Sequence, residues 1–448
     1  MKNITVDFNE ITGKIKPLHA VNNGPVYKFA EDQRITNMTA WKEAEIPYAR
    51  THDSVFYNTY GGPHTVDVNC IFTNFDADPY DEKSYDFACT DEYFKVINFS
   101  GTKIFYRLGA SIEHIVKKYN TLPPRDFNKW AVICEHIIKH FNEGWANGFN
   151  YNIEYWEIWN EPDLDPDDSN NKRTWGGTKA QFFDLYEIAS KHLKKAFPAL
   201  KIGGPALCGR FDWGRDFLTE MKKRNAPVDF FSWHCYTNEP SVIYEKSIKV
   251  RNILDECGFS KTESINNEWN YVKGWTGDNW IYSLRTEKNL KGSSFILGTM
   301  CACQYAPVDM LMYYDARPCG MNGMFCTDFV CDVLKGYYPF KMFNELYKLK
   351  NAVKTENDIN IFSAAAVNEN KAAVVLTHFS DNDNTQAEML NIKFKGFNGS
   401  KDIKARYYLL DENNDLTLVR EDILSGTKKN ATLNSALFSS YLITLEKM

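Results

Sequence analysis

The sequence predicts an α/β fold, a (β/α)₈ TIM barrel with an accessory β-sandwich domain. Three observations carry this prediction. Eight short apolar runs recur along the first three quarters of the chain, separated by helical stretches. Those runs are near-continuously apolar, as strands buried on both faces of a parallel sheet must be. After about residue 350 the strand-like runs follow one another without intervening helices.

The eight runs are Lys16 to Val21, Ile46 to Arg50, Lys103 to Leu108, Ile153 to Trp159, Lys201 to Ala206, Val228 to His234, Ser264 to Glu268 and Met310 to Asp315. Between them, Phe127 to Phe141 places Trp130, Val132, Ile133, Ile137, Ile138 and Phe141 largely on one helical face. Gln181 to Phe197 repeats the pattern with Phe182, Leu185, Tyr186, Ala189 and Leu193, and Pro198 stops it. An open doubly wound sheet is disfavoured because no Gly-rich phosphate loop follows any strand. The later strands are predicted at Ile359 to Val367, Ala372 to His378, Met389 to Phe394, Ile403 to Leu410, Leu416 to Val419 and Phe438 to Leu445. Residues 15–345 are therefore expected to form the barrel, and 1–14 with 350–448 the β-sandwich.

A chain of 448 residues with 44% hydrophobic residues has enough apolar mass for a large core. A net charge of −6 gives no reason to expect nucleic acid or anionic membrane as a partner. No stretch reaches the ~20 apolar residues of a membrane span. The start, Met1-Lys2-Asn3-Ile4-Thr5-Val6, shows no signal-peptide h-region, and eleven scattered cysteines suggest reduced thiols, so a cytoplasmic location is expected. The oligomeric state is open, with a homo-oligomer among the expectations. Aromatics at 15% supply core rings and candidate platforms for sugar C–H faces.

In such a barrel the reacting groups sit at the C-terminal ends of strands. The tips offer Gly24; Arg50, His52 and Asp53; Asn160 and Glu161; His234 and Tyr236; Glu268; and Asp315. No G-x-S-x-G elbow is present, which disfavours a serine hydrolase, and no strand tip shows a convincing Schiff-base lysine. Two carboxylates are what glycoside hydrolysis needs, one to protonate the departing oxygen and one to attack the anomeric carbon or activate water. Glu161 and Glu268, on the fourth and seventh strands, are the predicted pair. Asn160 is placed to bind a sugar 2-hydroxyl. Strict alternation would send Asn160 and Glu161 to opposite faces, so the strand must bulge or break there. Glu157, deeper in the barrel, is expected to form an ion pair with an arginine such as Arg107. Trp275, in a loop after Glu268, is a candidate stacking ring. Asp315 is read either as a ligand of sugar hydroxyls or as a structural partner of Arg317. His136 and His140 have i, i+4 spacing but no HExxH glutamate, so they are read as solvated histidines, and neither a metal nor a cofactor is expected. His64, after Gly61-Gly62-Pro63, is given no role.

Asn160-Glu161-Pro162 with Glu268 resembles clan A glycoside hydrolases. The wider text Glu157-Ile158-Trp159-Asn160-Glu161-Pro162-Asp163-Leu164 resembles family 39, the family of β-xylosidases and α-L-iduronidases, which also pairs a barrel with a β-sandwich. The resemblance implies Glu161 as acid/base and Glu268 as nucleophile, with Asn160 on the 2-hydroxyl. It further implies that His234 and Tyr236 act as the His-x-Tyr pair beside the nucleophile, and that His52 binds a sugar hydroxyl. Asn267 departs from the Thr or Ser usual before the nucleophile. The expected activity is a retaining exo-glycosidase on small β-linked oligosaccharides or glycosides, foremost β-xylosides. An α-L-iduronidase-like, galactosidase, glucosidase or arabinosidase activity is the nearest alternative, and a non-catalytic carbohydrate-binding protein is the alternative from another class.

Overall fold

The computed structural model describes residues 1–27, 36–53, 64–327, 332–397, 402–425 and 429–448. Eight parallel strands close a barrel in sequence order: β2 (Ala20–Asn22), β3 (Tyr48–Thr51), β4 (Lys103–Leu108), β5 (Tyr155–Ile158), β6 (Lys201–Leu207), β7 (Phe230–Thr237), β8 (Glu263–Tyr271) and β9 (Met310–Tyr313). Each of the eight predicted runs overlaps one of these strands.

The barrel interior is layered by side-chain alternation. Ala20, Tyr48, Phe105, Tyr155, Phe230, Ile265, Met310 and Met312 form a closed apolar plug near the strand starts. Gly203 on β6 adds no side chain there, because a Cβ would collide with the backbone oxygen and ring of Phe230. Two residues further along six of the strands the chemistry changes: Asn22, Arg50, Arg107, Glu157, Ser232 and Asn267 make a buried polar layer. Two residues beyond Arg50, Ser232 and Met312 stand His52, His234 and Tyr314 at the mouth. The opposite faces of the strands, including Tyr106, Trp156, Phe231 and Trp269, join the main core under the helices.

The helices are α1 (Met38–Ala44), α2 (Val68–Ile71), α3 (Ala88–Phe99), α4 (Phe127–Glu143), α5 (Lys179–Ala196), α6 (Phe211–Lys223), α7 (Pro240–Glu256), α8 (Gly277–Glu287), α9 (Leu290–Gln304) and α10 (Tyr338–Leu349). Helix α4 begins at Asp126, whose side chain accepts from the amides of Asn128 and Lys129, and ends at Gly144 with φ 73°. Helix α5 begins with a reciprocal Thr178–Gln181 capping box. His136 and His140 on α4 are not solvated as expected. Both are buried, His140 stacking on Phe87 at 3.6 Å and lying 2.8 Å from Asp91, because the loops around Tyr85 and Trp145 fold over that face.

The accessory domain is a mixed sheet of nine strands. It comprises β1 (Lys2–Lys14), β10 (Asn351–Glu356), β11 (Ile361–Val367), β12 (Lys371–His378), β13 (Glu388–Lys395), β14 (Asp402–Leu410), β15 (Asp415–Ser425), β16 (Asn430–Ser435) and β17 (Ser440–Lys447). Their order is β15-β14-β17-β12-β11-β10-β1-β13-β16, and β1 pairs antiparallel with β10 and parallel with β13. Both ends of this order bury side chains in one core, with Val6, Ile392 and Leu433 from one end and Val374, Ala405 and Ile443 from the other. Strands β11 and β12 are covered on both faces. Ala365 and Val374 face the sheet's own core, while Ala364, Ala366, Ala373 and Val375 belong to the barrel core. Their small side chains let α9 approach closely, and α9 is buried along nearly its whole length between the two.

Candidate active site

The fourth barrel strand ends at Ile158, and the chain then leaves the strand conformation. Trp159 has φ 73° and Glu161 φ 48°, both left-handed. The Trp159 amide donates to Leu108 O (2.7 Å), the Glu161 amide to Ala206 O (2.9 Å), and the Thr174 hydroxyl to Glu161 O (2.5 Å). The Trp159 indole donates to Thr174 O at 2.7 Å and packs against Trp130 and Trp175. This break answers the alternation problem: Asn160 and Glu161 both reach groups in the barrel mouth.

A bulge does the same for β8. The register pairs Trp233 with Asn266 and His234 with Glu268, leaving Asn267 as the extra residue. Asn267 donates to Glu157 Oε1 (2.5 Å), and Glu268 sits one step higher. Asn267, the departure from the expected text, thus serves the layer beneath Glu161 and Glu268.

Arg50 lies at the centre and is wholly buried. Its Nε donates to Glu157 Oε2 (2.7 Å), its Nη1 to Glu268 Oε1 (2.8 Å) and Asn22 Oδ1 (3.1 Å), and its Nη2 to Asn160 Oδ1 (2.6 Å). Burial opposes its charge, but Glu157 and Glu268 together raise its pKa. Glu157 is structural as expected, but its partner is Arg50, not Arg107. Arg107 stands beside Glu157 in register yet turns to Asp67 (2.6 Å) and His52 O (2.6 Å). Arg50→Met would leave Glu157 and Glu268 buried without their shared cation. A loss of about 3–5 kcal/mol in urea unfolding is expected, and Arg50→Lys should recover little because it cannot supply the three-way fork.

Glu161 and Glu268 approach each other across the mouth, each with a carboxylate oxygen within 4.8 Å of the other's and of a His234 ring nitrogen. His234 Nδ1 is 2.8 Å from Glu161 Oε1 and 3.4 Å from Glu268 Oε2. The Tyr236 hydroxyl donates to Glu268 Oε2 at 2.7 Å. The two carboxylates therefore differ. Glu268 has Arg50 and Tyr236 as direct donors, whereas among the described residues the Glu161 carboxylate meets the ring of His234 alone, whose pKa is pushed down to about 4 chiefly by burial. Burial raises Glu161 to about 7, with Arg50 and Arg173 opposing. Burial raises Glu268 too, against His234 and Arg50. The shared proton belongs on Glu161, the member without a cation in contact. Below it, burial raises Asp163 to about 6 even though the Cys208 and Arg210 amides donate to it.

Glu161, His234 and Glu268 are also the one group among the described residues whose ligand-type atoms could surround a metal ion. Arg50 and Tyr236 already engage both oxygens of Glu268, so the donor set suits a proton-sharing pair better than a cation.

Residues 32–276 match the family model described as glycosyl hydrolases family 39. The chain belongs to this family. It is 38% identical over 129 residues to a β-xylosidase of Geobacillus stearothermophilus, covering 27% of this chain and 23% of that protein. It is 26% identical over 250 residues to a β-xylosidase of Caldicellulosiruptor saccharolyticus, covering 53% of this chain and 46% of that one. The matches thus span less than half the length of either relative. Among solved structures, a glucosidase from Croceicoccus marinus superposes with a TM-score of 0.81, covering 100% of this chain and 99% of that chain. At 19% identity that likeness speaks to the fold alone.

The other predicted site residues of this family 39 chain are distributed as follows. His52 is buried, with Nε2 4.0 Å from Glu268 Oε1 and Nδ1 without a partner among the described residues; burial, Arg50 and Arg107 keep it neutral. Trp275 is 56% exposed, which makes it a rim residue, with its ring 5.0 Å from Tyr236 and stacked on Trp280. Asp315 is fully buried and engaged by Asn23 Nδ2 (3.0 Å), the Arg317 amide (2.6 Å) and the Arg317 guanidinium (3.1 Å). Arg317 also reaches Asp53 (3.2 Å), tying the ends of β3 and β9 together beside His52. His64 lies 3.8 Å from Asp53, while the preceding Gly61–Pro63 falls outside the described residues. Sequence reasoning placed Arg50 at a strand tip but gave it no role, and it passed over Asn22. The signal was available, since both lie two residues beyond an apolar plug position.

The raised pKa of Glu161 has a stability consequence. In the unfolded chain the carboxyl ionises near 4.5, whereas in the folded protein it holds its proton to about 7. Between those values the folded state binds more protons, so stability falls as pH rises, and the penalty is complete above pH 7. Glu161→Gln removes it. The variant is expected to be about 1–3 kcal/mol more stable than wild type at pH 8 and little different at pH 4.5, as read by calorimetry.

Proposed function

We propose that this family 39 protein is a retaining exo-glycosidase with β-xylosides as its foremost substrates. Glu161 is the acid/base and Glu268 the nucleophile. The observation that carries the reading is the carboxylate pair within 4.8 Å, one member held by Arg50 and Tyr236 and the other raised to about 7. A separation near 5–5.5 Å suits double displacement, whereas inversion needs ~6.5–9.5 Å to admit a water.

In the first step Glu268 attacks the anomeric carbon as the C–O bond to the leaving group breaks. Glu161 gives its proton to the departing oxygen. Esterification removes the charge on Glu268, so the pKa of Glu161 falls and it takes a proton from water. That water attacks the same carbon, releases Glu268 as carboxylate and leaves the configuration retained. Asn160, turned inward beside Glu161, is the ligand for the 2-hydroxyl, and His52 offers a partnerless ring nitrogen to a further hydroxyl.

A neutral terminal sugar is favoured over a uronate. Arg317 is flanked by Asp53 and Asp315, and Lys273 is held by Asp381 at 3.0 Å, so each is already matched by carboxylate. The Asp53–Arg317–Asp315 link walls the mouth beside His52, which supports exo action. The xyloside preference rests on the two relatives named β-xylosidase. The reading includes residues 15–345 as the catalytic domain and 1–14 with 350–448 as the accessory domain, supported by strand membership. It also includes a cytoplasmic location, supported by free buried thiols such as Cys134, Cys235, Cys301 and Cys303.

A panel of 4-nitrophenyl glycosides tests the reading, with the first-formed product followed by proton NMR. Turnover of the β-xyloside with the β-anomer of xylose appearing first is expected. No turnover on any member, or the α-anomer first, contradicts it.

A further inference from the structure

The accessory sheet meets the strand-tip side of the barrel through the loop after β12, chiefly at one carboxylate. Asp381 lies in the loop after β12, and its side chain is only 14% exposed. Four side chains from the barrel converge on it. The Tyr271 hydroxyl donates to Oδ1 (2.5 Å), Asn238 Nδ2 to Oδ2 (2.8 Å), and Lys273 Nζ to Oδ2 (3.0 Å), while Lys291 Nζ stands 3.0 Å from Oδ1. Lys291 also donates to Asp381 O (2.8 Å) and to Asp383 Oδ1 (2.8 Å).

These contacts fall close to the reacting groups in sequence. Asn238 is two residues after Tyr236, whose hydroxyl holds Glu268. Tyr271 is three residues after Glu268, and Lys273 is two residues before Trp275. The Trp275 ring stands against Tyr236 at 5.0 Å and is otherwise backed by Trp280. The Lys273–Trp275 turn is held at Lys273 in two ways, by its amide donating to the Ser283 hydroxyl (2.9 Å) and by its ammonium on Asp381 (3.0 Å). Burial opposes the charge on Asp381, but Tyr271, Asn238, Lys291 and Lys273 hold its pKa down at about 2, so the anchor stays ionised throughout the working range.

We propose that Asp381 is a positioning residue through which the accessory domain fixes the Trp275 wall of the substrate mouth, and so sets affinity for the sugar ring stacked there. The affinity part rests on the glycosidase reading above; the positioning part does not. Charge-assisted contacts of this kind are individually stronger than neutral ones, and the cluster is partly shielded from water. Truncating Asp381 releases the Lys273 ammonium, leaves the Lys273 amide on Ser283, and so loosens the Trp275 turn.

The test uses the full chain with Asp381→Ala, Asp381→Asn, Trp275→Ala and the Asp381→Ala/Trp275→Ala double variant. Hydrogen exchange of the peptide 271–280 is read first, without substrate. Faster exchange in Asp381→Ala is expected, with Asp381→Asn intermediate, and unchanged exchange overturns the positioning role. The preferred aryl glycoside is read second. A KM raised roughly 5- to 10-fold with kcat within about 3-fold is expected for Asp381→Ala. In the double variant KM should scarcely exceed that of Trp275→Ala, because both changes remove the same wall. Multiplying effects, or a fall in kcat at constant KM, overturns the affinity role. A thermal shift without any change in exchange or KM marks Asp381 as a domain staple only and also overturns it. If Asp381→Ala does not fold, Asp381→Asn carries the same two readouts. Faster exchange in a protein with no glycosidase activity in the wild type leaves the positioning role standing and removes the glycosidase reading with the affinity claim.

Discussion

Glu268→Gln is expected to reduce kcat by about 10⁴-fold or more, with little change in folding stability. Glutamine matches the shape of glutamate: its oxygen can still accept from Arg50, while its amide nitrogen donates to the Tyr236 hydroxyl oxygen. Arg50 keeps Glu157 as counter-charge at 2.7 Å, so no cation is stranded. What disappears is the carboxylate proposed to form the bond to the anomeric carbon. Activity within about 100-fold of wild type would place the nucleophile elsewhere. The outcome also separates an enzyme from a sugar-binding protein on the same scaffold, whose affinity would survive and whose turnover would be absent from the start.

Glu161→Ala is expected to show a loss that depends on the leaving group. For an unactivated disaccharide, which needs its oxygen protonated, the loss should be about 10²–10⁴-fold. For a 2,4-dinitrophenyl glycoside, which departs without help, formation of the glycosyl-enzyme should be nearly normal and the ester should accumulate. Azide, which needs no general base, should then restore turnover and give a product of retained configuration. The pH profile supplies a second reading. With Glu161 raised to about 7, wild-type kcat/KM should fall as pH rises through that value, because the acid loses its proton. The acid limb reports protonation of the pair as a whole. In Glu161→Ala the alkaline limb should vanish. A uniform loss across leaving groups, with the limb intact, would assign the acid to another residue.

Much of this fold was legible because its period is strong. All eight barrel runs overlap strands, and the two clearest amphipathic stretches fall in helices α4 and α5. The first dozen residues do join the accessory sheet, as β1. Strands β10 and β16 were not anticipated. Asn-Ala-Val-Lys-Thr-Glu and Asn-Ala-Thr-Leu-Asn-Ser carry few apolar side chains and read as loop until a partner strand covers one face. The carboxylate pair was visible as text, but its electrostatics were not. Arg50 reaches four residues on three other strands or strand tips, at sequence separations no local pattern reveals. Assigning Glu157 to Arg107 followed sensibly from neighbouring strands. It failed because a long side chain can cross a barrel interior and a nearer one can turn away. The histidines of α4 were misjudged for a related reason, since a loop of rings covers what a helical wheel exposes. The left-handed residues Trp159 and Glu161 show where regular alternation correctly predicted a conflict that the backbone had to resolve.

The central claim is that Glu268 forms a covalent bond to the sugar. A 2-fluoro-β-xyloside with a good leaving group, or the 2-fluoro analogue of whichever sugar the panel favours, slows release of the intermediate and traps it. Incubation, proteolysis and mass spectrometry should find a single glycosyl adduct on the peptide containing Glu268, absent from Glu268→Gln. An adduct on any other peptide, or time-dependent turnover with no adduct at all, would contradict the account.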